Sequence, residues 1–156
     1  MRIDAFLRES PMFEVNRASR RFDGLAGRVL QGDGLSFLEG LVLAAIFFEA
    51  PEPVKPSQLA EAFATTRGNV SHCVSSLEAK GLLQRKVDPA DARAFNLELK
   101  PTGKKCALRA IGAFDRLQRE FEREVGKSAL KGALEVILRL ESLAASRSLE
   151  AVKTSE

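Results

Sequence analysis

Between Arg67 and Lys80 the chain runs RGNVSHCVSSLEAK. Placed on a helix at 100° per residue, Val70, Cys73, Val74 and Leu77 fall on one side. The opposite side then carries Gly68, Ser71, His72 and Ser75, with Arg67 and Asn69 in the first turn and Thr66 as cap. These are short hydrogen-bonding groups with no large apolar side chain among them. Such a face suits recognition of a duplex. Asn and Arg can pair adenine or guanine edges bidentately, small neighbours let the backbone approach, and the free N–H groups of the helix start attract phosphate. An ordinary solvated face has a similar composition, so the neighbouring elements have to discriminate.

A second group lies downstream. Asp91 stands two residues before Arg93, a spacing that lets a carboxylate hold a guanidinium aimed at a phosphate or into a minor groove. An idle surface ion pair has the same spacing. Arg85 and Lys86, just before this segment, and Ser57 upstream are candidates for the DNA backbone. No metal or cofactor site is expected. His72 is the only histidine, and Cys73 and Cys106 are the only cysteines, so one chain cannot assemble four N and S ligands for structural zinc. Both thiols are expected to behave as small buried hydrophobes, with a redox role left open. Ser71, His72 and Ser75 have no oxyanion loop or orienting acid beside them, and no phosphate-cradling glycine loop follows a strand, so an enzyme is not expected.

The elements that position these groups follow from periodicity. Ala18, Phe22, Leu25, Ala26, Val29 and Leu30 form one stripe of a helix over about Pro11 to Gln31, closed by Gly32-Asp33-Gly34. Ser36 and Glu39 have capping-box spacing for a second helix, about Phe37 to Glu49, apolar almost all round and therefore expected inside a bundle. Pro51, Pro53 and Pro56 mark the following loop, and KPSQLAEAFA gives a helix of about two turns. After the Arg67–Lys80 helix, Gly81 suits a C′ position. LLQRKV and FNLELK read as two strands joined by the polar loop DPADARA. A long amphipathic helix from Pro101 to Glu124 carries Ala107, Ile111, Phe114, Leu117 and Phe121 on one stripe. Past Gly126 another runs to about Ala145, before a polar tail.

The chain has 156 residues, 45% hydrophobic and 29% charged, which fits one domain over 1–156 with a real core. With ten Phe and neither Tyr nor Trp, few aromatic platforms remain for stacking single-stranded bases. The longest apolar run, Leu41 to Phe48, is too short to span a bilayer, and charges interrupt the N-terminal segment, so a cytoplasmic location is expected. The net charge is only +3, but residues 55–105 carry nine basic and five acidic side chains, against a net of −1 elsewhere. The positive excess is central.

With these residues in place, PSQLAEAFATTRGNVSHCVSSLEAKGLLQRKVDPADARAFNLELKPTGKK resembles the winged helix-turn-helix of the MarR family of bacterial transcriptional regulators. LEAKGLLQR followed by DPADARAFNLELKPTG is the most specific part. The sequence departs from the family at Ala92, where a first of two wing arginines is frequent, and at Lys100, where a capping Thr is usual. The resemblance implies a mainly α fold with a small β-hairpin wing. Residues 36–105 would form the DNA-binding region, flanked by dimerisation helices at 11–31 and 106–145. It further implies a homodimer, with Thr66 to Ser75 as recognition helix and Arg93 as wing arginine, acting on double-stranded DNA at a pseudo-palindromic operator. Repression relieved by a small-molecule effector is implied as well; no motif identifies the molecule or its pocket. The alternative is a winged-helix protein-interaction module without specific DNA binding.

Overall fold

The computed structural model of the chain describes residues 2–89 and 91–153, with side chains for all of these except 2, 6 and 148–153. Its elements are α1 (Arg2–Glu9), α2 (Pro11–Leu30), a 3-10 turn (Gln31–Asp33), α3 (Phe37–Glu49), α4 (Pro56–Ala62), α5 (Arg67–Ala79), β1 (Leu83–Asp88), β2 (Asp91–Leu99), α6 (Pro101–Val125) and α7 (Lys127–Lys153). This is the mainly helical fold with a two-stranded wing that the sequence implies. Residues 23–115 form one compact unit, and residues 1–22 with 116–156 form another. No single helix among the described residues is long and apolar enough to cross a membrane.

The core of the 23–115 unit grows from the expected stripes. Val70, Cys73, Val74 and Leu77 of α5 are buried against Val42, Leu43 and Ile46 of α3, Leu59 and Ala60 of α4, and Leu83, Leu97 and Leu99 of the wing. Antiparallel pairing runs from Leu83 opposite Leu99 to Val87 opposite Phe95. On the other edge of β2, the Leu97 N–H donates to the Val54 carbonyl at 2.8 Å, which ties the proline-rich loop to the wing. Lys55 reaches Asp88 at 2.6 Å, while its own N–H donates to the Gln58 side chain, so the start of α4 is fastened to the end of β1.

Four elements differ from the sequence reading. The segment expected as a polar loop, DPADARA, is largely strand: Asp88 and Asp91 to Ala94 are extended and Pro89 is in a turn, while Ala90 lies outside the described residues. Asp91 to Ala94 contain no breaker and extend the alternation of Phe95 to Leu99, so the backbone stays extended. The ladder is irregular there: Val87 faces Phe95 and Asp88 faces Asp91, leaving Ala92, Arg93 and Ala94 between successive pairs. The terminal helix passes Ala145 and reaches Lys153, because SRSLEAVK is made mostly of adequate helix formers with neither Gly nor Pro. Arg2–Glu9 is helical, with Asp4 in its first turn and Arg8 in its last, each complementing the helix dipole.

In α6 the buried side is the small one, Cys106, Ala107, Ala110 and Ala113. Ile111, Phe114, Leu117 and Phe121 are only half-buried. Small side chains permit close backbone approach, and Gly103 shows how close. An added Cβ there would lie 1.8 Å from the Leu82 carbonyl oxygen, the same oxygen that accepts the Lys100 N–H at 3.0 Å. The Thr102 hydroxyl donates to the Gly81 carbonyl at 2.9 Å, and Arg109 pairs with Asp33 at 2.6 Å. In the other unit, Phe22 and Phe121 meet edge to face with centroids 5.7 Å apart, and Gln118 donates to Glu122 at 3.2 Å.

Gly103→Ala is expected to destabilise the chain by about 3 kcal/mol, because the obstacle is backbone that no rotamer change can relieve. Urea denaturation followed by helical ellipticity measures this; a variant with the wild-type midpoint would contradict the packing described.

Candidate nucleic-acid interface

Thr66 begins α5 as its N-cap, its hydroxyl accepting the Asn69 N–H at 3.1 Å. This satisfies one of the free donors of the first turn. The Asn69 side chain also donates to the Thr65 hydroxyl at 3.1 Å, which orients the amide and leaves its oxygen and second N–H for an outside partner. The turn from α4 closes through Ala64, whose φ is +47°, a left-handed conformation that a non-glycine residue adopts only under constraint. Gly81, with φ +70°, takes the C′ position at the far end. Thr66, Arg67, Gly68, Asn69, Ser71, His72 and Ser75 are all exposed, and Val70, Cys73, Val74 and Leu77 are buried. The fold therefore brings the seven helix residues together on one open polar face.

Three polar residues that the sequence reading did not connect hold that helix in place. Glu39, the capping residue of α3, is 5% exposed. Its Oε2 accepts the Ser36 N–H at 2.7 Å, and its Oε1 accepts the Ser76 hydroxyl at 2.7 Å and the Lys80 ammonium at 2.6 Å. Lys80 Nζ also donates to the Gly34 carbonyl at 2.8 Å. Burial pushes the Glu39 carboxyl up, but the bonds from Lys80, Ser36 and Ser76 outweigh it, and the carboxyl ends below its usual value. The sequence signal was present: Ser76 and Lys80 are four residues apart, and Glu39 is the one acid before the last residue of a helix that is otherwise apolar. Burial pushes the Cys73 thiol up to about 12, with the Glu39 carboxylate adding to it. It also raises Cys106, helped by Asp33. Neither site favours a thiolate.

At the wing, Asp91 and Arg93 are exposed. The Asp91 carboxylate accepts the backbone N–H of Arg93 at 3.0 Å and makes no bond to its guanidinium. The contact shapes the strand and leaves the guanidinium free to point outward. Arg85 is partly covered: it pairs with Glu78 at 2.8 Å and donates to the Ser75 hydroxyl at 2.9 Å. Lys86 pairs with Glu98 at 2.6 Å, and Ser57 is exposed in the first turn of α4. Among the described residues, Arg67, Arg93, Lys100, Lys104 and Lys105 are the basic groups of the 55–105 segment that form no ion pair. Much of the segment's nominal positive charge is thus neutralised locally. The free cations lie at the start of α5, on the wing and in the first turn of α6.

Comparison with known proteins bears on the fold. The family model described as MarR family matches residues 33–94, which run from the end of the 3-10 turn to the wing. Over these residues the chain is similar to the MarR family. Solved structures of similar fold include BldR, a transcriptional regulator from Sulfolobus solfataricus, 27% identical over 89% of this chain and 99% of that one, with TM-score 0.70. The Staphylococcus aureus MepR–DNA complex superposes with TM-score 0.78 at 20% identity, covering 85% of this chain and 97% of that one. The Mycobacterium tuberculosis regulator MosR in complex with DNA gives 0.74 at 23% identity, over 88% and 97%. No protein of curated function matches the chain. The matched segment includes all of α5, which Ser76 and Lys80 anchor to Glu39.

Removing the anchor has a defined pH signature. Because the Glu39 carboxyl is lowered in the folded chain, its stabilisation is complete above the unfolded value and is lost as pH falls through the folded one. Glu39→Gln is expected to lower stability by about 2 kcal/mol near neutral pH, less than for a fully buried pair because Lys80 retains access to water. The difference from wild type should shrink as pH falls below the usual carboxylate range and wild-type Glu39 itself takes up a proton. A deficit independent of pH in denaturant titrations would contradict the ion-pair account.

Proposed function

We propose that this chain is a DNA-binding transcription regulator that acts as a homodimer, with α5 in the major groove and the wing over an adjacent minor groove. The observation that carries the reading is the open face of α5. Seven short or hydrogen-bonding residues are presented outward with the helix N-terminus capped by a neutral hydroxyl, and no apolar side chain obstructs them. Thr66, Arg67, Gly68, Asn69, Ser71, His72 and Ser75 contact the duplex in this reading, and Arg93, shaped by Asp91, contacts it from the wing. Ser57 approaches the backbone, and Lys86 does so by exchanging its exposed pair with Glu98 for a phosphate. The DNA complexes of MepR and MosR support a duplex as the partner of a fold of this kind.

Dimerisation through the helices outside residues 36–105 is supported by their apolar surface. Leu134, Val136, Ile137, Leu138 and Leu143 of α7 and Met12 and Phe22 of α2 are between 44% and 65% exposed, an apolar area that a monomer in water rarely leaves open. A two-fold dimer presents two copies of α5, so the operator is an inverted repeat. Repression under control of a small molecule is the further part of the proposal. A cavity of about 710 Å³ lined by Ile46, Phe47, Pro51, Pro53, Asn96, Leu97, Leu99 and Lys104 has the size and largely apolar walls of a ligand site, and it includes residues of β2, so an occupant would bear directly on the wing.

Selection of bound duplexes from a random library at about physiological ionic strength tests the reading. The expected product is an inverted repeat with half-sites about one helical turn apart. On that site Arg93→Ala is expected to weaken binding across sequences and flatten the salt dependence, while Asn69→Ala mainly changes base preference. Weak, salt-labile binding with no enriched sequence would overturn it.

A further inference from the structure

The partners of Arg85 give it a role different from that of a phosphate-binding cation. It sits on β1, opposite Leu97, with its side chain lying over α5. One guanidinium nitrogen is 2.8 Å from Glu78 Oε2, another donates to the Ser75 hydroxyl oxygen at 2.9 Å, and the Arg85 backbone N–H donates to Glu78 Oε1 at 3.1 Å. Ser75 and Glu78 are three residues apart on α5 and therefore share a face. The charge of Arg85 is spent on Glu78. Little of it is left to attract a phosphate.

The bond to Ser75 has a chemical consequence. A serine hydroxyl has one proton to donate and two lone pairs with which to accept, and in a groove it can serve either kind of base edge. A guanidinium can only donate. Once Arg85 occupies a lone pair, the Ser75 proton cannot point back along that bond and is available only to an acceptor elsewhere. Among the described residues the Ser75 hydroxyl donates to no protein acceptor, and Ser75 is exposed on the outward face of α5.

We infer that Arg85 is a positioning residue: by taking one lone pair of Ser75 it fixes the hydroxyl with its proton and one remaining lone pair turned to a base edge, so that Ser75 discriminates at one base position, while the Glu78 bonds lock the wing strand to the recognition helix. The inference rests on the DNA-binding reading above. It assigns Arg85 no contact with DNA. Discrimination at one base position in each half-site then depends on a residue that touches none of it.

The experiment compares wild type, Arg85→Met, Arg85→Lys, Ser75→Ala and the Arg85→Met/Ser75→Ala double variant on the duplex that wild type selects and on single-base variants of it. Each variant's preference is a ratio between two duplexes, so partial unfolding of a variant cancels. Arg85→Met and Ser75→Ala are expected to relax preference at the same base pair, each about tenfold, and the double variant to lose no more than either alone. Arg85→Lys, still donor-only, should restore most of the preference. The slope of log affinity against log salt should be unchanged in Arg85→Met, whereas loss of a phosphate contact would reduce it by about 0.9. A reduced slope with base preference intact would overturn the inference, as would relaxation at different base pairs in the two single variants. If wild type itself shows no base preference, the DNA-binding reading falls and the inference with it. If wild type discriminates and Arg85→Met does so equally well, only the inference falls.

Discussion

The winged unit depends on a single buried carboxylate. Glu39 lies at the start of α3 among apolar residues, where an ion without partners would be costly to bury. Its two oxygens are fully used: by the Ser36 N–H that opens its own helix, and by Ser76 and Lys80 at the end of α5. The same carboxylate thus caps one helix and holds a second. Apolar packing of Val70, Val74 and Leu77 against Val42 and Leu43 provides most of the attraction between α3 and α5, but it is non-directional and tolerates small rotations. Charge-assisted hydrogen bonds of 2.6–2.8 Å do not. They fix which face of α5 looks outward.

The wing is fastened by the same means. Arg85 and Glu78 join β1 to α5, Lys55 and Asp88 join β1 to the start of α4, and the Leu97–Val54 bridge joins β2 to the loop before α4. Each bond consumes a charge or donor that composition alone would assign to a nucleic-acid surface. The central excess of +4 is therefore a poor guide to which cations reach a phosphate. The described ion pairs leave Arg67, Arg93, Lys100, Lys104 and Lys105 as the free ones, a smaller and more localised set.

The helical periods, the Ser36–Glu39 capping box, the inward side of α5 and the helix ends at Gly81 and Gly126 could all be read before any coordinates, because each is a local pattern with one physical cause. The misreadings have causes too. The DPADARA segment carries turn residues, yet Asp91 to Ala94 lack a breaker, and pairing across the hairpin outweighed composition. Of the stripe read for α6, Ala107 is buried, but Ile111, Phe114, Leu117 and Phe121 are only half-buried, and the buried side continues instead through the small residues Cys106, Ala110 and Ala113. The left-handed turn at Ala64 has no signature, since the residue gives no hint of that φ. Partners such as Glu39 with Lys80, 41 residues apart, belong to the tertiary fold; periodicity places each on a face but cannot pair them. The seven helix residues were found because exposure on an amphipathic helix follows from spacing. The bonds of Arg85 were not, because an arginine on a strand reads the same whether it meets a phosphate or a glutamate.

The most direct test of the account is to map backbone amide shifts by heteronuclear NMR while the selected duplex is titrated into labelled protein. The largest changes are expected over residues 66–75 and 91–95, with the amides of Glu39 and Lys80 little altered because their network is already in place. Changes concentrated on α7 or around the 710 Å³ cavity, with residues 66–75 silent, would contradict the assignment of α5 as the surface that reads DNA.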